Sequence, residues 1–471
     1  VKKFLLNFSQ IRRFSGTYES EEGERMDLLT EKIRPMYIRY LSAAFGSAFI
    51  TSIYGIVDMA MVGQYQGPEG TAAMAVVAPI WNIIYSLGLL MGIGGSVLFG
   101  TLRGQTGQNE KRSNEYFTAA LIGALILSAV IWIGLIFFDK KLLILFGAEE
   151  SLLPLARRYI VPVKFVVPCF LFTQVISAFL RNDGNPGLAT RAVLFGGIFN
   201  IFGDFFFVFI LNMGILGAGL ATAFGAVLSL VIMLTHFWGK GNTLRLVKTE
   251  HLFTKLRVIG ITGFSTFFID VAMGILTILF NRQILKYLGT DALSVYGIIV
   301  NISTFVQCCA YSIGQASQPI ISVNFGAGKS GRICETLRYA LLTAAAFGIF
   351  WIVLSLAAPN LYVRIFMAPT EKILEIAPAI IRSYGLSFLL LPLNVFSTFY
   401  FQALMRPGVS FVVSVSRGAL ISGAFILLLP GLFGSNSIWF AMPFTEFFVT
   451  IYVTIQMVRC TKRILGDHDI K

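Results

Sequence analysis

Charge is what this sequence is short of. Only 13% of its 471 residues are Asp, Glu, Lys or Arg, while 56% are hydrophobic; a soluble domain carries roughly a quarter charged residues. A chain of this length cannot hide that excess in one oversized soluble core, so an ordinary soluble protein is excluded. Histidine is rarer still: His236, His251 and His468 are the only three, and they show no metal-ligand spacing. The five cysteines, Cys169, Cys308, Cys309, Cys334 and Cys460, contain no C-x-x-C pattern and sit mostly in or beside apolar runs. They read as small packing residues rather than a disulfide or metal framework. A phosphate loop is missing too. The stretch "FGAGKSGR" at 325–332 would need glycine where Val323 stands, and it follows an apolar span instead of a strand. Direct powering by ATP is not expected. Nor do the apolar runs hold a nucleophile–base or metal constellation, so an enzyme is not expected and no cofactor is implied.

What the chain has instead is apolar length. Runs near the roughly 20 residues needed to cross a bilayer recur at about 36–62, 72–97, 116–138, 159–180, 188–211, 215–238, 258–281, 292–322, 338–360, 376–400, 408–430 and 437–458. Twelve spans make this an all-α integral membrane protein. Its net charge of +13 speaks of membrane topology and not of nucleic acid: Lys and Arg crowd the N-terminus, the even-numbered loops and the C-terminus, and are absent after spans 1, 5 and 11. The positive-inside rule then places both termini in the cytoplasm of a multi-pass inner or plasma membrane protein. The first residue is Val1, and "MDLLTEKI" runs straight into the first span, which makes Met26 a candidate initiator. The acidic stretch that contains it, "ESEEGERMDLLTEK" at 19–32, is polar enough to be poorly ordered.

The expected organisation is a cytoplasmic N-terminal segment over 1–35, a six-helix lobe over 36–238, a linker over 239–257, a second six-helix lobe over 258–460 and a tail over 461–471. Echoes between the halves support duplication: "GILG" at 214–217 and "GLFG" at 431–434, Pro186-Gly187 and Pro407-Gly408, Gly107 and Gly328. An even number of spans per half gives parallel repeats, an arrangement that in secondary transporters places the substrate site between the halves.

Ionisable residues inside the spans carry the functional signal, because each costs roughly 2.5–3.5 kcal/mol at mid-helix on the insertion scale. Asp58 sits in "SIYGIVDMAMVG", Asn200 and Asp204 share a helix face in "FNIFGDFFF", and Thr222 lies among small residues in "GILGAGLATAFG". Together they offer carboxylate, amide and hydroxyl oxygens, which suit a hard cation such as Na⁺ or a shared proton. The matching second-half positions are near Ile421 and Phe425, so only the first half holds this set. A structural hydrogen bond or a helix-end charge is the plain alternative, and the cost of buried acids favours function. In the second half stand Asp270, Arg382, Arg417 and Glu446. Arg417 and Glu446 read as a neutralising pair that holds helices in register, Asp270 stands open between function and structure, and Lys164 is expected to snorkel to the interface.

These stretches, with "NRQILKYLGTDALSVYGI" at 281–298 and "GQASQPIISVNFGAGKSGR" at 314–332, resemble the multidrug and toxic compound extrusion (MATE) family of cation-coupled exporters. The resemblance implies two six-helix lobes around a central cavity that opens alternately to each side. It also implies a cation site in the first lobe at Asp58, Asn200, Asp204 and Thr222, and leaves a second site possible at Asp270. One departure stands out: where relatives often carry a mid-helix proline in the first span, this chain has Ala43, and Pro35 lies too early. Bending there would fall to Gly46 and Gly55. The expected activity is antiport of amphipathic or cationic organic compounds against H⁺ or Na⁺, by a monomer whose partners are those compounds and the lipid bilayer. The alternative is a flippase for lipid-linked oligosaccharide, whose cavity would be lined with cations; buried Lys and Arg are few here.

Overall fold

In a computed structural model, the protein is described over residues 27–105, 109–146, 148–239, 241–366 and 370–466. Met26, Gly107, His468 and the end of the expected tail lie outside the described residues. Twelve helices are long and apolar enough to cross a membrane. They are α1 Ile33–Gly67, α2 Glu69–Gly104, α3 Glu110–Leu145, α4 Leu153–Asn182, α5 Pro186–Ile210, α6 Ile215–Trp238, α7 Leu252–Tyr287, α8 Thr290–Gly326, α9 Ser330–Ala357, α10 Glu371–Ala403, α11 Pro407–Phe433 and α12 Ser435–Gly466. Each predicted span is found, extended by several residues at many of its ends. A short helix at Pro359–Phe366 between α9 and α10 was not anticipated. Helices α1–α6 form one lobe and α7–α12 the other. Between α1 and α2 the chain breaks at Gly67, whose φ of 67° suits a residue without Cβ. Within α1 itself no residue leaves helical geometry before Gly67, in keeping with the missing proline.

The even number of crossings puts the start of α1 and the end of α12 on one face, here termed the terminal face. On that side the lobes meet backbone to backbone. A Cβ on Gly104 of α2 would collide with the carbonyl of Val323 on α8, and one on Gly326 of α8 would collide with the carbonyl of Thr101 on α2. The contact is reciprocal, as expected where two repeated helices cross on a pseudo-two-fold axis. A second crossing sets Gly94 of α2 on the carbonyl of Ile259 and Gly263 of α7 on that of Leu90. Lys255 at the start of α7 pairs with Glu115 of α3. The first turns of α1 also dock on the far lobe: Tyr37 donates to Thr343 Oγ1 at 3.1 Å, and Phe45 stacks on Phe347 with centroids 6.0 Å apart. Residues 27–32, expected within a poorly ordered leader, are held here as well, with Asn324 Nδ2 and Arg332 Nη2 both donating to the Leu28 carbonyl at 3.0 Å.

Toward the opposite face the lobes part. The exposed residues of α8 are Thr290, Ser294, Gly297, Asn301 and Thr304, and every other residue of the helix is buried or half-buried. Their spacing of four and three makes one straight stripe, and none of them is a large apolar residue. Exposed residues that face lipid look different: those of α3 include Leu125, Ile126, Val130, Ile133 and Phe137. A polar exposed stripe at membrane depth faces water. The stripe therefore lines an inter-lobe cleft, with Asn82 and Tyr85 exposed on α2. The structure is closed on the terminal face and open on the other.

The linker runs without regular secondary structure over 242–249 along the first lobe. Buried Asp183 clips it, accepting from the Thr243 amide at 3.1 Å and contacting His236 Nε2 at 2.7 Å. Asn114 takes the Arg245 amide at 2.9 Å.

The close crossings yield a test. Gly263→Ala adds a Cβ where the Leu90 carbonyl lies, at a typical overpacking cost of about 1–3 kcal/mol, whereas Gly260→Ala one turn earlier meets nothing within 4 Å. A Thr101–Val323 double-cysteine crosslink is expected to fall in the first variant and hold in the second. Equal behaviour of the two would show that the terminal-face closure does not depend on this contact.

Candidate functional site

The four residues singled out in the first lobe converge. Close approach of α5 and α6 rests on small residues: a Cβ on Gly225 would lie 2.8 Å from the Gly196 carbonyl, and one on Gly203 would lie 3.0 Å from Ala221 Cβ. That proximity sets Asn200 Nδ2 3.1 Å from Thr222 Oγ1. Thr222 in turn faces Asp58 Oδ2 of α1 at 3.5 Å. Asp204 lies one turn beyond Asn200, where regular α-helix gives way to a π-helical stretch at Phe205–Ile210; such stretches are frequent at functional sites. It is fully buried and within electrostatic reach of Asp58. One residue had not been anticipated: Tyr159 of α4 donates its hydroxyl to Asp58 Oδ2 at 3.0 Å.

Acceptors outnumber donors here. Asp58 Oδ1, Asn200 Oδ1 and both carboxylate oxygens of Asp204 are buried without a hydrogen-bond partner. No ion pair among the described residues reaches Asp58 or Asp204. Buried polar atoms are ordinarily satisfied, and two carboxylates without a counter-charge are costly. What such a site can accept is a bare cation coordinated by oxygen, or a proton. The second-lobe counterparts are apolar, as the repeat implies: Phe425 stacks on Phe448 with centroids 5.9 Å apart.

The second-lobe set divides in two. Arg417 and Glu446 form a buried ion pair at 2.7 Å. Asn394 of α10 donates to Glu446 Oε2 at 2.7 Å and accepts from Thr450 at 3.1 Å. This network ties α10, α11 and α12 together with its charges matched. Asp270 belongs instead to the lobe boundary, accepting from Tyr311 of α8 at 2.6 Å and from Ser86 of α2 in the other lobe at 3.1 Å. Tyr311 continues the exposed stripe of α8 one heptad beyond Thr304, so Asp270 lies at the deep end of the cleft. Arg382 is a surface residue whose Nε donates to the Leu356 carbonyl at 3.1 Å. Lys164 does not snorkel: Asp139 of α3 lies 2.7 Å from its ammonium and also 3.0 Å from Arg157, and an acid in reach is a better partner than the interface. The buried cations also include Arg181, one residue past the expected end of the fourth span.

Twelve spanning helices in two repeated lobes, split by a cleft, define a multi-pass membrane protein with the two-lobe architecture of a family of transporters. The MatE family profile matches residues 43–206 and 266–426, and the chain belongs to that family. It is 22% identical over 401 residues to the multidrug export protein MepA of Staphylococcus saprophyticus, covering 85% of this chain and 88% of that protein. The MepA protein of Staphylococcus aureus is 21% identical over 402 residues, 84% of this chain and 87% of the relative. Among solved structures, the outward-facing conformation of a multidrug resistance MATE family transporter of the MOP superfamily superimposes with a TM-score of 0.84 at 18% identity, over 93% of this chain and 97% of that one. A MOP superfamily transporter from Pyrococcus furiosus, described as having a binding pocket of reversed polarity, reaches 0.81 at 18% identity, over 93% of this chain and 97% of that one.

The Arg417–Glu446 pair separates structure from function. Arg417→Ala leaves Glu446 buried and unpaired, at a cost of about 3–5 kcal/mol, and the midpoint of thermal unfolding in detergent is expected to fall markedly. Arg417→Met with Glu446→Leu removes both charges and should recover most of that loss. A double variant as unstable as the single one would contradict the matched-pair reading.

Proposed function

We propose that this protein is a secondary antiporter of the plasma membrane, with both termini cytoplasmic, that exports amphipathic, cationic or aromatic organic compounds in exchange for H⁺ or Na⁺. The observation that carries the proposal is the cluster of unpartnered, buried acceptor oxygens on Asp58, Asn200 and Asp204, backed by Thr222 and Tyr159. A coupling ion acts only through its differential affinity for two states. Entry from the open side neutralises a desolvated carboxylate and draws α1 toward α4–α6. Because the first turns of α1 are docked on the other lobe, that movement bears on the terminal-face closure. In the cycle, cation occupancy of the outward-open state favours release of the exported compound, and the cation leaves on the inside as the next compound loads.

The export reading is supported by the MepA relatives, whose names describe multidrug export, and by the wall of the cleft. The stripe of α8 is neutral and polar, suited to water and to varied ligands. A flippase for lipid-linked oligosaccharide would need a row of cations for the phosphates, and the stripe holds none.

Efflux of ethidium from loaded vesicles, driven separately by a pH gradient and by a Na⁺ gradient, tests the proposal. One gradient is expected to drive export. Asp58→Asn, Asp204→Asn and Asn200→Leu should each abolish it in inserted protein. Wild-type efflux that survives in all three variants would refute the coupling site, and no gradient-driven efflux of any dye would refute multidrug export.

A further inference from the structure

On the terminal face a cavity of about 630 Å³ lies against the seal, with walls from both lobes. Leu98 and Leu102 of α2 and Tyr116 of α3 line it from the first lobe. Phe325 of α8 and Met405, between α10 and α11, line it from the second. Thr101, whose carbonyl faces Gly326 across the α2–α8 crossing, is part of the lining too. A cavity of this volume, mostly apolar with a few polar groups and set between two lobes, matches the usual form of a small-molecule site.

The charges around the cavity are not equivalent. Lys255 and Glu115 pair with each other across the lobe boundary, and the Lys255 ammonium also donates to the Glu250 carbonyl, so the fold already uses both. Arg112, at the start of α3, is exposed, and no acid pairs with it in the ion pairs among the described residues. His251 precedes α7, whose first turn it does not cap with its side chain, so the positive end of that helix borders the cavity as well. Glu250, also exposed and outside those ion pairs, is the one opposing charge. An apolar floor beside a free guanidinium selects an aromatic body that carries a carboxylate.

We propose that this cavity is an inhibitory site for amphipathic aromatic carboxylates, which hold the two lobes together on the terminal face. The aromatic rings pack on Phe325, Met405 and Leu98, and the carboxylate meets Arg112. Because its walls belong to different lobes, the site exists only while the terminal face is closed. Opening that face parts Phe325 from Leu98 and destroys it. A ligand with affinity for one state alone shifts the equilibrium toward that state. Bound here, it stops the cycle with the cleft open and the coupling site untouched. Binding needs only the closed structure, whereas inhibition rests on the export cycle proposed above.

The test uses dansylglycine, an aromatic carboxylate, and its neutral amide. Affinities for the full-length purified protein are read by fluorescence polarisation, which needs no transport. Saturable binding is expected, with the acid tighter than the amide. Arg112→Gln should weaken the acid by roughly two- to tenfold, the loss of one partly exposed hydrogen bond, and leave the amide unchanged. Glu250→Gln should tighten the acid. Both residues are exposed, so neither change removes a core contact. An acid-to-amide ratio unchanged by Arg112→Gln, or no saturable binding of either probe, would overturn the site. The Thr101–Val323 double-cysteine crosslink reads closure without transport, and dansylglycine should raise its yield; an unchanged yield would overturn the bridging of the lobes. Initial rates of ethidium transport are then read in inverted and in right-side-out vesicles. Dansylglycine added outside is expected to inhibit only the inverted ones, where the terminal face is outside, and binding without inhibition would overturn the inhibitory role. Absence of ethidium transport in the untreated protein would count against the export reading alone, and polarisation and crosslinking would still decide the site.

Discussion

The crossing of α2 on α8 is the constraint from which the rest of the molecule follows. With glycine on each side, the two backbones touch through Gly104 and Gly326, and the helices seal the terminal face over their final turns. Two straight helices in contact at one end diverge toward the other, and that divergence is the cleft. The polar stripe of α8 begins where burial ends. Asp270 marks the transition, since it still reaches Ser86 across the boundary. Closure on one face and openness on the other are thus one geometric fact. A change that separates the glycine contacts must alter both together, which is what alternating access requires.

Against that frame, α1 is the element that belongs to both lobes. Its first turns are anchored to α9 by Tyr37 and Phe45, while Asp58, some six turns later, sits against α4, α5 and α6. A helix resists compression along its axis, so a force on Asp58 is felt at the anchor. The anchor is where the lobes close. No proline is needed for such transmission, and α1 remains regular to Gly67.

Much of this was legible in the sequence, for definite physical reasons. Spans show themselves by length because lipid tolerates no irregular backbone, and all twelve were found. Asp58, Asn200, Asp204 and Thr222 stand out because polar side chains in apolar runs are conspicuous, and helical spacing alone predicts the shared face of Asn200 and Asp204. What could not be read depends on partners distant in the chain. Tyr159 passes as one more aromatic residue near a helix end until folding sets it against Asp58. Arg181 passes as a loop residue because "NDG" follows it into a turn. Lys164 finds Asp139 only once α3 and α4 pack together. Glycines that make the crossing are hidden among 45 of their kind; which of them meet a carbonyl is a property of the fold alone.

The two lobes share an architecture and differ in how they treat buried charge. Each has a π-helical stretch in its fifth helix, Phe205–Ile210 in one and Ser416–Leu420 in the other, and each places a charged residue beside or within it. In the second lobe that residue, Arg417, is matched by Glu446, and Asn394 and Thr450 complete the network. Both charges of that network are matched, so little is gained there by binding or releasing an ion. In the first lobe Asp204 meets no donor and Asp58 only hydroxyls. Neither carboxylate meets a counter-charge in the ion pairs among the described residues. A pseudo-symmetric fold that matches charge beside one fifth helix and leaves it unmatched beside the other gives the proposed coupling ion a hold on one side alone, since a ligand biases an equilibrium only through its differential affinity for the two states.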